Sequence, residues 1–237
     1  MRAADERRCA KQALGSWSKT ARVGRLLGHG ENTIFAVQGE PWVIRVHRDD
    51  YHPTPVIEGE LVLVEALADA GFHVCRPVRT EAGAGLVNAE GRRVTVLERL
   101  VGRRQRQVGC DRARVLGATL ARLHSFARDW QPPATFQRPL WDLEALIGPD
   151  AAWGSMESAG FDPGLAHTFR QAMRQVLRFD APPIPVHHDL HGGNVLWDGD
   201  RPQILDWDDA GIGYPLFDVC IPAFRLAPAR RDAFFQG

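Results

Sequence analysis

The chain has 237 residues, of which 44% are hydrophobic and 24% charged, and its 29 basic and 29 acidic side chains give a formal net charge of zero. This balance is typical of a globular protein with one or two domains. It gives no reason to expect nucleic acid or an anionic membrane as a partner. No apolar run is long enough to span a bilayer, and the polar N-terminus has no signal core. The four cysteines form no Cys-X-X-Cys pair, which favours reduced thiols in the cytoplasm.

The first hundred residues predict an antiparallel sheet of about five strands plus one helix, preceded by an N-terminal helix over about 5–19. The apolar runs ARVGRLL, TIFAV and WVIRVH are separated by Gly-containing turns, a pattern typical of hairpins. Pro55 opens a helix over about 55–70 that carries an apolar stripe at helical spacing. Two further strands, over 85–88 and 93–98, complete the predicted sheet.

The second half of the chain has a helical pattern. Asp111 is expected to cap the first of four helices, which are predicted over about 112–127, 140–147, 163–179 and 215–226. Very short strands are expected between 184 and 205. We therefore predict an α+β fold of two lobes, with an N-terminal lobe over 1–98, a hinge at 99–102 and a mainly helical lobe over 103–237.

Polar side chains are concentrated in the segment IPVHHDLHGGNVLWDGDRPQILDWDDAG, residues 184–211. His187, Asp189 and Asn194 fit H-x-D-x-x-x-x-N, and Asp206 follows the short run QIL. Phosphoryl transfer needs such a set, because one carboxylate orients the attacking hydroxyl while hard oxygen ligands hold Mg²⁺. Asp and Asn beside Gly are also common turn residues, so the motif by itself leaves both interpretations open.

Three histidines in the same segment allow a different chemistry. His187, His188 and His191 could bind zinc, and the first and last stand four residues apart, which suits one face of a helix. Pro185 before them and Gly192–Gly193 after them argue against a helix there. A zinc hydrolase is therefore a competing hypothesis, and it predicts stoichiometric zinc in the purified protein.

Over about residues 22–226 the chain resembles the aminoglycoside phosphotransferase family, whose members have a protein-kinase-like fold. The resemblance rests on VHHDLHGGNVLWDGDRPQILDWDDAGIGYPLFDV and extends to LLGHGENTIFAV, WVIRVHR, GELVLVEALADAGFHVCRPV, VLERLVG and RVLGATLARLH. Within the family the chain looks closest to a bacterial branch that includes stress-response Ser/Thr kinases. The resemblance implies transfer of the γ-phosphate of ATP, with Mg²⁺, to a hydroxyl of a small molecule or of a Ser or Thr side chain.

The resemblance also implies a role for each residue of the motif. Asp189 would be the catalytic base, Asn194 a Mg²⁺ ligand and Asp206 the second metal ligand. His187 would brace the catalytic loop. Asp218, in YPLFDV, resembles the buried aspartate that supports this loop through backbone hydrogen bonds. A carboxylate that interacts with a helix dipole is an equally open interpretation of Asp218.

Nucleotide-binding residues are implied in the first lobe. The resemblance places Gly28, Gly30 and Asn32 of GHGEN in a phosphate-covering loop, although the segment is not a full G-x-G-x-x-G and the chain has no Walker motif. It also implies that the backbone at Glu98 and Leu100 binds adenine.

Arg45 is the main departure from the family pattern. Kinases carry a lysine on the third strand, paired with a helix glutamate, to hold the α- and β-phosphates. The only two lysines of this chain precede the sheet, so Arg45 in VIRVH takes that position. Arginine keeps the charge but is bulkier and forked, so an equal role, weaker ATP binding and a solvent-facing residue are all open. Glu60 is the expected partner, because Glu58 and Glu65 share the other edge of the helix stripe.

A non-catalytic or degraded nucleotide-binding relative is the alternative to an active enzyme. Arg45 motivates it, and so does the end of the chain at Gly237, because family members usually continue with several helices beyond the position of Phe224. The helical lobe is thus expected to be truncated. A monomer or dimer is expected, and a protein, sugar, amino alcohol or homoserine acceptor is open.

Overall fold

The computed structural model describes residues 3–105, 107–149, 151, 154–177 and 182–237. Two compact units can be distinguished. Unit 1 comprises Met1–Arg103, Pro132–Gln137 and Gln203–Leu205, and unit 2 comprises Arg104–Gln131, Arg138–Pro202 and Asp206–Gly237. None of the helices in the described ranges has the length and hydropathy that crossing a bilayer requires.

An antiparallel sheet forms the centre of unit 1. Its strands in the described part of the chain are β1 Arg22–His29, β2 Thr33–Gln38, β3 Trp42–Val46, β4 Pro77–Val78, β5 Leu86–Ala89 and β6 Arg92–Glu98. They are ordered β1-β2-β3-β6-β4, and β5 also pairs with β6. The antiparallel sheet predicted from the sequence is therefore confirmed. The additional strand is β4, whose two residues are too few to show an alternating pattern.

Helix α1 (Ala3–Leu14) packs small side chains against this sheet. Ala10 and Ala13 are buried in one core with Phe35 and Ile44 of the strands. The helix ends five residues earlier than the sequence predicted, because the chain turns at Gly15 and the Trp17 side chain becomes buried. The Trp17 indole N–H donates to the carbonyl of Val78 at 2.8 Å, a contact with β4 that helical periodicity cannot reveal.

Helix α2 (Thr54–Asp69) has Pro55 in its first turn and ends just before Gly71, as the sequence predicted. Gly71 has φ of +81°, a left-handed conformation that glycine adopts without a steric penalty. Of the predicted stripe of Ile57, Leu61, Val64 and Ala68, the first three residues are buried and Ala68 is half-buried. A charged residue, Glu60, is buried on the same side of the helix.

Unit 2 is mainly helical in its described part. Its helices are α3 Cys110–Asp129, α4 Leu143–Ile147, α5 Pro163–Leu177, α6 Pro215–Arg225 and α7 Pro228–Phe235. Gly109 rather than Asp111 is the N-cap of α3, so the predicted cap was wrong: Asp111 lies inside the first turn. Residues 178 and 179 of the helix predicted over 163–179 lie outside the described residues. Gly117 of α3 lets α7 approach closely, because a Cβ there would lie 2.0 Å from the carbonyl oxygen of Phe234.

Short strands accompany these helices. They are β7 Arg103–Arg104, β8 Leu140–Trp141, β9 Ile184–Val186, β10 Val195–Asp198, β11 Arg201–Ile204 and β12 Gly211–Gly213. Strand β12 is parallel to β8 and antiparallel to β9. Ile184 and Val186 of β9 pack against Ala127 of α3. The segment that follows β9 therefore begins from a strand fixed both by its sheet and by a long helix.

Candidate active site

Asp218, in the first turn of α6, holds the beginning of the loop that follows β9. Its carboxylate is completely buried and accepts hydrogen bonds from the backbone N–H of His187 at 2.9 Å and of His188 at 2.6 Å. The His124 side chain of α3 lies 3.2 Å from the same carboxylate. Of the two interpretations that the sequence left open for Asp218, the backbone hydrogen bonds are observed. They fix the two residues that precede Asp189.

His188 has a left-handed backbone conformation, with φ of +70°. Such a conformation is costly for a residue with a side chain and persists only where the surroundings impose it. Here the Asp218 carboxylate holds the backbone N–H, and the imidazole stacks on Trp141 at 4.4 Å between ring centroids. Burial lowers the pKa of His188, and the carboxylates of Asp218, Asp209 and Asp189 oppose that shift. The strained residue therefore presents a predominantly neutral ring at pH 7.

His187 lies directly against the backbone of Asp189. Its Nδ1 accepts a hydrogen bond from the backbone N–H of Asp189 at 3.3 Å. Its ring is fully buried and packs on Trp207, with 4.7 Å between ring centroids. A ring fixed on both sides in this way can brace the loop, which is the arrangement expected for His187.

Asn194 and Asp189 contact each other at the two ends of the loop. The Asn194 side-chain amide donates to the Asp189 carbonyl oxygen at 3.0 Å and to Asp189 Oδ2 at 3.1 Å. Asn194 is buried, whereas the Asp189 side chain is 46% exposed. The loop thus holds the partly exposed carboxylate of Asp189 through one oxygen of that carboxylate.

Asp206 begins a second strained segment of unit 2. It is exposed and has φ of +61°. Arg138 and Trp141 fix the backbone that follows, because their side chains donate to carbonyl oxygens of Trp207, Asp208, Asp209 and Ala210 at 2.5–3.1 Å. Sequence reasoning did not identify Arg138, Trp141 or His124 as part of this region. Their partners are mostly backbone groups, which leave no signal in a motif.

The three histidines of the motif do not converge. The rings of His187 and His188 pack on Trp207 and Trp141, respectively, while His191 accepts a hydrogen bond from the backbone of Gly193. Within the described residues, no group of three His, Cys, Asp or Glu side chains is arranged to hold a metal ion. The zinc hypothesis therefore gains no support from this arrangement.

In unit 1, Arg45 of β3 and Glu60 of α2 form a buried ion pair. One guanidinium nitrogen lies 2.8 Å from each carboxylate oxygen, and the two side chains are 4% and 3% exposed. Arg45 is therefore not a solvent-facing strand residue. Glu65 instead pairs with Arg79 near the surface, and Glu58 is exposed. Of the three candidate glutamates, Glu60 is the one that the fold places against Arg45.

A neutral imidazole lies next to this ion pair. Arg45 Nε donates to the hydroxyl of Thr95 at 3.4 Å, and Nε2 of His47 lies 3.1 Å from the same hydroxyl. Burial lowers the pKa of His47 well below its ordinary value, and the positive charge of Arg45 adds to the shift. Among the described side chains of Arg45, Glu60, Thr95 and His47, the formal charges at pH 7 are therefore those of Arg45 and Glu60.

The GHGEN segment forms the turn between β1 and β2. The N–H of Gly30 donates to the carbonyl of Asn32, whose side-chain oxygen accepts from the N–H of Arg48. A Cβ on Gly28 or Gly30 would meet no atom within 4 Å, and neither glycine has positive φ. The fold of unit 1 therefore does not demand glycine at either position.

The N-terminal helix also contacts this turn. Thr33 donates to Glu6 of α1 at 2.7 Å, and Nδ1 of His29 lies 2.8 Å from the same hydroxyl. Sequence reasoning did not find Glu6, because an acidic residue in the first turn of a helix is ordinary.

Glu98 and Leu100 lie at the end of β6 and just beyond it. The backbone N–H of Glu98 donates to the carbonyl of Arg76 at 2.8 Å. The Glu98 N–H is therefore engaged within unit 1. Leu100 is half-buried and lies outside the strands.

Residues 23–237 of the chain match the model of a family described as "Phosphotransferase enzyme family". Homoserine kinase from Pseudomonas aeruginosa is 28% identical over 205 residues, which cover 81% of this chain and 60% of that protein. Stress response kinase A from Salmonella choleraesuis is 27% identical over 198 residues, or 80% of this chain and 59% of that protein. The chain thus spans about 60% of the length of these curated relatives.

A solved structure, that of a microcompartment-associated aminopropanol kinase, is also similar. It has a TM-score of 0.73 and 29% sequence identity, and the match covers 88% of this chain and 71% of that one. The protein-kinase-like α+β fold predicted from the sequence is thereby confirmed.

Proposed function

The chain belongs to the phosphotransferase enzyme family, and from this premise we propose that it transfers the γ-phosphate of ATP, with Mg²⁺, to a hydroxyl group of a small molecule. The observation that carries the proposal is the geometry of the loop between β9 and β10. There a partly exposed Asp189 is fixed by Asn194, and the backbone before it is held by the buried Asp218.

Asp189 is suited to orient an attacking hydroxyl. Asn194 occupies its Oδ2, so Oδ1 is the better placed oxygen to accept the hydroxyl proton. In the proposed step the hydroxyl oxygen bonds to the γ-phosphorus, the bond from that phosphorus to the β–γ bridging oxygen breaks, and the proton passes to Asp189. Positioning dominates in such reactions, because the transferring phosphoryl group requires little covalent help from the protein.

The residues present fit a magnesium ion. Mg²⁺ binds hard oxygen ligands and commonly takes only one or two from the protein, with the rest from phosphates and water. The Asn194 amide nitrogen is engaged with Asp189, which directs its amide oxygen away from that carboxylate. That oxygen and the exposed carboxylate of Asp206 would hold the ion. When bound, it would neutralise negative charge on the phosphates.

Unit 1 would supply the groups that bind the nucleotide. Arg45 keeps a positive charge on β3 and is oriented by Glu60, which corresponds to the Lys–Glu pair that kinases use for the α- and β-phosphates. Close approach of phosphate oxygens to the backbone would account for Gly28 and Gly30, since the fold does not require them. Adenine would bind the backbone at Glu98 and Leu100.

The proposed acceptor class is small amino alcohols. Two of the similar proteins are named as kinases of homoserine and of aminopropanol, and both compounds carry an amine and a hydroxyl. A cytoplasmic location is part of the proposal, because the four cysteines, all within the described residues, form no disulfide.

A phosphotransfer screen tests the proposal. ATP consumption is measured with amino alcohols, homoserine, sugars, aminoglycosides and a Ser/Thr peptide, for the wild type and for Asp189→Asn, Asp206→Asn and Asp200→Asn. Asp200 is an aspartate of the same unit whose side chain is 83% exposed, so it serves as the control. We expect Asp189→Asn to lose at least ~100-fold in kcat, the order of magnitude for an acid–base group, and Asp206→Asn to lose activity because it removes a proposed ligand of Mg²⁺.

Three results would count against the proposal or a part of it. Robust turnover by both Asp189→Asn and Asp206→Asn would refute the assigned roles. Thermal stabilisation of the wild type by MgATP, without turnover on any acceptor class, would instead support the non-catalytic nucleotide-binding alternative. Transfer to the peptide alone would move the acceptor from small molecules to proteins.

A further inference from the structure

We propose that His191 is a positioning residue that fixes Oδ2 of Asp189 and so commits Oδ1 to the acceptor hydroxyl. The proposal rests on the proposed function, and it gives a role to a histidine that the motif leaves unassigned. Three observations support it: the hydrogen bond that fixes the tautomer of the ring, the close packing of the ring against the backbone, and the carboxylate oxygen that lies near its second nitrogen.

The tautomer of His191 is fixed by the turn that it begins. His191 is the N-cap of a short 3-10 turn, Gly192–Asn194, and its Nδ1 accepts a hydrogen bond from the backbone N–H of Gly193 at 2.8 Å. A nitrogen that accepts a hydrogen bond carries no proton. In the neutral imidazole the proton is therefore on Nε2, which makes that nitrogen a donor.

The ring is seated tightly against the backbone. A Cβ on Gly193 would lie 2.5 Å from Cε1 and 2.8 Å from Nδ1 of His191, closer than non-bonded atoms approach. Glycine at position 193 therefore makes room for the imidazole. A ring that only pointed into solvent would not need this space, so the local sequence is adapted to hold the imidazole in one place.

The donor nitrogen of the seated ring faces the proposed base. Nε2 of His191 lies 3.5 Å from Oδ2 of Asp189, the same oxygen that accepts from Asn194 at 3.1 Å. The distance is long for a hydrogen bond, but contacts of catalytic groups commonly shorten when the substrate binds. Oδ2 thus accepts from Asn194 and lies near a second N–H donor, which leaves Oδ1 as the oxygen proposed to meet the hydroxyl.

Two substitutions separate the functions of the two ring nitrogens. His191→Asn keeps an oxygen near the position of Nδ1, so it can still accept from Gly193, but it has no donor toward Asp189. His191→Gln keeps an amide N–H near the position of Nε2 but loses the acceptor for Gly193. If the ring had only a structural role, His191→Gln would be the less active variant, because it loses the acceptor for Gly193. If the ring positions Asp189, His191→Asn would be the less active variant, because it loses the donor.

Steady-state kinetics of both variants, with thermal unfolding of each, tests the proposal. We expect His191→Asn to lose about 10- to 100-fold in kcat, the loss expected for one hydrogen bond to a charged group. KM for ATP should stay within about twofold, because the contact acts only on the base. His191→Gln should keep most of the wild-type kcat. An active wild type with an equally active His191→Asn variant would refute this inference alone, whereas an inactive wild type would refute the proposed function together with it.

Nitrogen-15 NMR of histidine-labelled protein provides a readout that does not depend on activity. The signals of His191 are identified by their absence from both variants. We expect its Nδ1 to be unprotonated and its Nε2 to carry the proton at neutral pH. A ring with the proton on Nδ1 would overturn the inference even in an active enzyme.

Discussion

Glu60 in unit 1 and Asp218 in unit 2 are both buried carboxylates, and they have different kinds of partner. Glu60 in unit 1 faces the guanidinium of Arg45, so a negative charge is paired with a positive side chain. Asp218 in unit 2 accepts from two backbone N–H groups and contacts His124. The first arrangement positions a charge, whereas the second positions a segment of backbone.

This difference predicts how substitution of each carboxylate would lower the stability of its unit. Removal of one member of the Arg45–Glu60 pair leaves an uncompensated charge in a buried place, which is costly, but removal of both members is not. Removal of the Asp218 carboxylate releases the backbone of the loop, and no second side-chain substitution restores that support, because every residue except proline keeps its backbone N–H. The following predictions test this contrast, from the largest expected effect to the smallest.

Glu60→Leu is expected to have the largest effect on stability. It leaves the Arg45 guanidinium buried without the Glu60 carboxylate. Breaking a buried pair in this way typically costs about 3–5 kcal/mol of the free energy of unfolding. The double variant Arg45→Met with Glu60→Leu should recover most of the loss, because neither charge remains. Urea unfolding measures both. Glu65→Leu, which breaks a pair near the surface, is the control and should cost less than about 1 kcal/mol.

Asp218→Asn is expected to cost about 2–3 kcal/mol, because the new amide N–H₂ replaces an oxygen that accepts from a backbone donor. Hydrogen exchange should locate the loosening at residues 187–190 and leave unit 1 protected. If the exchange of these amides were unchanged, the carboxylate would not be what holds the loop.

His124→Leu removes only one of the contacts of Asp218, so a smaller loss of about 1–2 kcal/mol is expected. His124→Gln keeps a donor of similar reach and should restore part of the loss. Thermal unfolding of the two variants checks this order. Equal stability of the Leu variant and the wild type would show that the backbone donors suffice.

Acidification should destabilise unit 1 through His47. Burial lowers the pKa of His47 in the folded state, so below about pH 6.5 the unfolded chain binds a proton that the folded chain does not. Stability attributable to His47 is therefore complete above that pH and falls as the pH decreases, by at most about 1.4 kcal/mol per pH unit. His47→Gln should flatten this part of the profile of unfolding free energy between pH 7 and pH 5.

Gly28→Ala and Gly30→Ala should have the smallest effect on stability, within about 0.5 kcal/mol, because a Cβ there meets no atom. If phosphate oxygens approach this turn, KM for ATP should nevertheless rise. Unchanged KM in both variants would remove the GHGEN turn from the proposed nucleotide site.

Part of this arrangement could be predicted from the sequence, because it depends on local periodicity. The buried stripe of α2 and the preference for Glu60 over Glu58 and Glu65 follow from helical spacing. The strand runs and their Gly turns gave the antiparallel sheet. The end of α1 was mispredicted, because Trp17 is drawn to the carbonyl of Val78, a residue far along the chain.

The sequence by itself determined the residue types of the H-x-D-x-x-x-x-N motif and their spacing along one loop, so Asp189 and Asn194 could be singled out before any coordinates. The family resemblance left two interpretations of Asp218 open, and only the tertiary structure decided that its carboxylate holds that loop. Asp218 bonds to the N–H of His187, 31 residues away, and His124 is 94 residues from Asp218. The physical reason is that every non-proline residue carries the same backbone N–H, so no residue letter shows which amide a distant carboxylate will bind.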